Sequence, residues 1–114
     1  MIVMTPPPVI HVRAVHGQTI ASVLREGVVI RLDVNSKRIV AVVSDLQCQG
    51  QSAGGWDRVV KRRRTRPHVR VNNINARRSL RRSASARCKV TIVGYDRRLR
   101  RPVAWDSARL RISN

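Results

Sequence analysis

Between Val28 and Val34 the chain alternates in period two. Val28, Ile30, Leu32 and Val34 fall on one side, and Val29, Arg31 and Asp33 on the other. This is the pattern of a half-buried β-strand. Asn35, Ser36 and Lys37 form a short polar break, and residues 38–44 are a β-branched run, so the two segments are expected to pair as a hairpin. Residues 9–15 read as an earlier strand, followed by a turn at His16 and Gly17. Residues 18–24 read as a further strand, because Thr19, Ile20 and Val23 are β-branched. The alternative for this segment is a short helix from Thr19 to Arg25, capped by Thr19 and stopped by Gly27.

Near the far end, residues 88–94 and 104–112 bracket a loop holding Arg97 to Pro102, which predicts a second hairpin with four arginines at its tip. In its last strand Ala108, Leu110 and Ile112 face one way, while Arg109 and Arg111 face the other. Val59, Val60 and residues 68–71 supply apolar material for one more strand. Residues 47–55 are polar and carry Gly50, Gly54 and Gly55, so they read as a flexible connection. Residues 77–87 are rich in Arg and Ser and are expected to order only on a partner.

Several short strands with turns between them predict a mainly β fold. A small antiparallel barrel or sandwich of SH3-like or OB-like size, with an Arg-rich loop or protrusion, is the expected architecture. Residues 1–8 form an N-terminal extension, and 9–114 one small β domain with a basic insertion at 57–87. Trp56, Tyr95 and Trp105 are the only aromatic residues, so the core is built from Val, Ile, Leu and Ala. Packing into that core is the expected place for most of the aromatic bulk. A deep substrate pocket is not expected.

Charge changes the picture most. The chain has 114 residues, with 24 Lys+Arg against 6 Asp+Glu, for a formal charge of +18. Residues 57–102 hold seventeen of the basic side chains and only two acidic ones. Such a density repels itself and calls for an anionic partner. Of the 24 basic residues 21 are Arg, whose planar paired donors fit phosphate oxygens and whose face stacks on bases.

Three clusters carry the prediction: Lys61, Arg62, Arg63, Arg64 and Arg66, with Arg70 beyond; Arg77, Arg78, Arg81, Arg82 and Arg87; and Arg97, Arg98, Arg100 and Arg101. They are assigned to the phosphate backbone of a nucleic acid, RNA favoured over DNA. Tyr95 and Trp105 are the candidates for base stacking. With so few aromatic residues, recognition is expected to run mainly through backbone and shape. Asn72, Asn73 and Asn75 read as turn and loop residues.

The function expected is therefore non-catalytic nucleic-acid binding, within a ribonucleoprotein or a viral or phage nucleoprotein assembly. One alternative is a metal-independent ribonuclease using His11, His16 or His68 with Arg13, Arg31 or Arg70. Another is a basic inhibitor that fills an acidic nucleic-acid-binding groove of an enzyme. No zinc-type spacing of Cys and His and no phosphate-loop motif is present, so no metal, cofactor or small-molecule substrate is expected.

Cys48 and Cys88 read as small buried thiols in a reducing compartment. No apolar run approaches the roughly 18–20 residues of a spanning helix, and the first residues lack the basic start of a secretory signal. The expected location is cytoplasmic or virion-associated.

Overall fold

The computed structural model describes residues 7–55 and 68–114. The chain is mainly β. In order it forms β1 (Ile10–Ala14), α1 (Ile20–Glu26), β2 (Val28–Val34), β3 (Ile39–Cys48), β4 (Gln51–Gly55), β5 (His68–Val69), α2 (Ile74–Arg81), β6 (Ser85–Asp96) and β7 (Pro102–Ser113). Two antiparallel sheets result, one ordered β1-β2-β5 and the other β4-β3-β6-β7.

Residues 18–24, expected as a strand, are instead mostly the helix α1, so the alternative prevails. Thr19 accepts a hydrogen bond from the Ser22 amide at 3.1 Å, and Ser22 Oγ accepts from the Thr19 amide at 3.2 Å, a reciprocal capping box. Helical spacing then buries Ile20 and Val23 together, which outweighs the β preference of the individual residues. Gly27 ends the helix at φ 89°, with its N–H on the Val23 carbonyl at 2.8 Å. A Cβ at Gly27 would stand 2.6 Å from the Val69 carbonyl oxygen, so β5 passes where only glycine fits.

The segments expected to pair as the first hairpin are both strands, but they do not pair with each other. β2 pairs with β1 from Ile30 to Val34 and with β5 at Val28 and Val29, while β3 pairs with β6 from Ile39 to Cys48 and with β4 from Ser44 to Cys48. The link between them is drawn apart at both ends. Asn35 Oδ1 accepts from the Val9 amide at 2.8 Å, and the Arg38 carbonyl accepts from the Arg97 amide at 2.8 Å. The second expected hairpin is present as β6-β7 and is longer than its apolar pattern indicated.

Residues 47–55 are not a loop. β3 continues to Cys48 and turns back as β4 through Gln49 and Gly50, at φ 51° and 81°. Two successive positive φ values are what a tight hairpin turn requires. Residues 77–87 are also ordered within the chain itself. Asn73 caps α2 by accepting from the Asn75 and Ala76 amides at 2.9 and 3.0 Å, and Ala76 and Leu80, four residues apart, enter the core. Arginine content had masked that helical spacing.

The core is aliphatic, from Ile10 and Val12 in β1 to Leu110 and Ile112 in β7. Cys48 and Cys88 lie in it, opposite one another on β3 and β6, and are joined in a disulfide rather than standing as separate thiols. Trp105 is not in the core: it is 68% exposed on β7. Among the described residues no helix is long and apolar enough to cross a membrane.

Candidate nucleic-acid interface

Strict alternation along β6 decides what reaches the surface. Ala86, Cys88, Val90 and Ile92 point inward and are buried, which sends Arg87, Lys89, Thr91, Val93 and Tyr95 to the outer face. On β7, Leu110 and Ile112 are buried while Trp105, Arg109 and Arg111 are exposed. The register sets Arg87 directly opposite Arg111 and Lys89 directly opposite Arg109, with Gln47 of β3 beside Lys89.

Like charges in directly opposed positions destabilise an antiparallel pair, and here two such pairs stand in consecutive outward rows. Among the described residues none of the four makes an ion pair. They border an open groove of about 560 Å³ together with His16, Gln47, Gln49 and Gly50. Among the described residues its lining offers donors from guanidinium, ammonium and amide groups and no carboxylate. Asp45 lies on the same face one row further along β3, opposite Thr91.

The basic surface continues beyond this sheet. Arg13 of β1 stands opposite Arg31 of β2, both exposed, and a second hollow of about 260 Å³ joins these two arginines to His16. His16 thus borders both hollows.

The third arginine cluster is held at the other end of the β6-β7 ribbon. Asp96 Oδ1 accepts from the Arg98 and Leu99 amides at 2.8 and 2.9 Å, and Arg38 Nη2 stands 3.0 Å from Asp96 Oδ2. The Leu99 amide is the main cause of a carboxyl pKa held below the usual aspartate value, helped by the Arg98 amide and Arg38, against burial, which pushes it up. The turn is therefore tied down while Arg97, Arg98, Arg100 and Arg101 remain exposed. Arg97 lies ten positions along the chain from Arg87, about 33 Å at strand rise, so these two basic regions are distinct ends of one ribbon.

The clusters expected from sequence divide accordingly. Lys61, Arg62, Arg63, Arg64 and Arg66 lie outside the described residues, as does Trp56. Arg70 is exposed just after β5. Arg78 and Arg81 are exposed on α2 and Arg82 at its end, whereas Arg77 is half-buried and donates to the Val71 carbonyl at 3.2 Å. Arg87 joins the sheet face. Tyr95 is half-buried and Trp105 exposed, both on the outer side of the β6-β7 ribbon. Asn73 is the α2 cap, a local role.

Lys89, Arg109 and Arg111 were not among the expected site residues. The signal was available in the alternation of Arg109 and Arg111 with Leu110 and Ile112, but clustering along the chain drew attention to runs instead. His11 stands opposite Asp33 and lines a different hollow from His16, so these two imidazoles are not brought together as an acid and base. Among the described residues no three His, Cys, Asp or Glu side chains are grouped to hold a metal ion. No protein family, curated protein or solved structure matches the chain.

Proposed function

We propose that this protein binds nucleic acid without catalysis, with RNA the favoured polymer, as part of a ribonucleoprotein or viral nucleoprotein assembly. One observation carries the reading: Arg87 opposite Arg111 and Lys89 opposite Arg109, outward-facing and without ion pairs among the described residues. Such an arrangement is unfavourable in the free protein and becomes favourable when phosphates lie between the strands. RNA is favoured over DNA because the Arg-rich segments carry Ser and Asn, a composition that resembles arginine-rich RNA-binding stretches. The described helices are also only seven and eight residues long, short for reading a major groove.

The meeting of the β1 and β7 edges supports reading the two sheets as a partly open barrel of SH3-like or OB-like size. The Val12 amide of β1 donates to Asp106 of β7, and beyond β1 the α1 cap Thr19 forms a parallel bridge to Ser113. The disulfide supports a setting outside a reducing cytosol, which a virion provides.

The test is a salt titration of binding to single-stranded RNA, duplex RNA and duplex DNA. Affinity should fall steeply with salt, and Arg109→Ala and Arg111→Ala should each flatten the slope by about 0.7 on single strands. Binding that ignores salt, or no binding to any of the three, would overturn the proposal. So would a nuclease-resistant, nucleotide-free complex with an acidic protein.

A further inference from the structure

Trp105 is the anomaly of the surface. Among the described residues the core has no aromatic side chain and is filled by Val, Ile, Leu, Ala and the disulfide, yet their bulkiest side chain is left 68% exposed on a regular strand. A lone exposed leucine needs no explanation, whereas tryptophan is enriched at interfaces, where its ring meets an apolar or aromatic occupant.

Its position narrows the choice of occupant. Trp105 is followed on β7 by Ser107, Arg109 and Arg111 at two-residue spacing. Trp105, Arg109 and Arg111 are exposed. Along the strand the indole stands about 13 Å from Arg109 and about 20 Å from Arg111 at Cα level. The arginines favour an anionic occupant, and among anionic polymers a nucleic acid also offers a flat π-face to the indole.

In a regular duplex the bases are stacked inside and their faces are closed to a side chain. In a single strand, phosphates and unstacked bases are both available. From this juxtaposition we propose that the outer face of β7 is a single-strand binding track, with a base stacked on Trp105 and the adjoining backbone phosphates held by Arg109 and Arg111. This rests on the nucleic-acid reading above and adds to it the strandedness of the ligand and the role of the indole.

The experiment compares labelled, unstructured RNA of about ten nucleotides, within the site sizes of single-strand binders, with its duplex at matched salt. The proteins compared are the full chain, Trp105→Ala, Trp105→Phe and Arg109→Ala. Trp105 is exposed, so its truncation leaves no cavity, and circular dichroism verifies each fold.

The single strand should bind more tightly than the duplex. Trp105→Ala should weaken single-strand binding by roughly 5- to 150-fold, the range for losing one base–aromatic stack, with the salt slope unchanged. Trp105→Phe should retain part of that affinity, and Arg109→Ala should change the slope. A Trp105→Ala variant within about twofold of the parent, or a duplex bound as tightly as the single strand, would overturn the track while leaving nucleic-acid binding in place. A parent protein that binds neither would instead overturn the broader reading.

Discussion

Asp106 on β7 accepts the amide hydrogen of Val12 on β1 at 2.8 Å, joining two strands 94 residues apart. Val12 is a buried residue, and this bond gives its N–H an acceptor on β7. Asp106→Ala should therefore cost about 1–3 kcal/mol, the penalty of leaving a buried donor unsatisfied. Asp106→Asn retains an acceptor and should cost less. Urea unfolding of the two variants checks the order, and equal losses would assign the effect to charge alone.

Arg87 and Arg111 oppose each other across the β6-β7 ladder. Arg111→Gln should raise the stability of the free protein by about 0.2–1 kcal/mol at low ionic strength, since it removes a directly opposed like charge. At 1 M salt, where the screening length is about 3 Å, the gain should shrink. The same variant should bind RNA less well. A site shaped for a ligand at the expense of the free fold gives this opposite response, which unfolding curves at two salt concentrations will read.

Asp96 has a carboxyl pKa below its ordinary value in the folded chain. The unfolded chain thus binds the proton more readily, and stability from this group is fully present above the ordinary aspartate range. It is lost as the pH falls through the folded value. Thermal unfolding from about pH 5 downward should show a loss that Asp96→Asn lessens, while Arg38→Gln weakens only part of the effect. Acid should loosen the turn carrying Arg97 to Arg101 first.

Cys48 and Cys88 close a loop with a sequence separation of 40. Chain-entropy reasoning gives such a bridge about 4 kcal/mol, so reduction, or the double change Cys48→Ala with Cys88→Ala, should lower the urea midpoint markedly. The bond ties β3 to β6 at the row next to Lys89, so its loss should also weaken RNA binding. A reduced protein with unchanged midpoint would contradict the bridge.

Period-two patterning made most strands legible: residues 28–34, 88–94 and 104–112 are strands as read. What it could not show was pairing, because β2 and β3 look alike whether they join one sheet or two, and the long partner of β3 is β6, far along the chain. Helix α1 was legible in its punctuation, Thr19 and Gly27, rather than in its residue preferences. Helix α2 was hidden because arginines surround Ala76 and Leu80.

At the site, runs of arginine stood out because they are contiguous in sequence. Arg87, Lys89, Arg109 and Arg111 are assembled by cross-strand register, which no local window contains. Trp105 is exposed because its place in the β7 alternation faces outward, and bulk alone does not reveal that.

The junction of β1 with β7 also governs how the protein is made. On the ribosome β1 and β2 emerge early, but the Val12 amide on the far edge of β1 waits for a strand translated some ninety residues later. Until then that edge presents unpaired N–H and C=O groups, a template for another nascent chain. In the finished fold the Asp106 carboxylate takes up the Val12 amide of that edge, so a chain that stops short of β7 should be more prone to edge pairing than the full one.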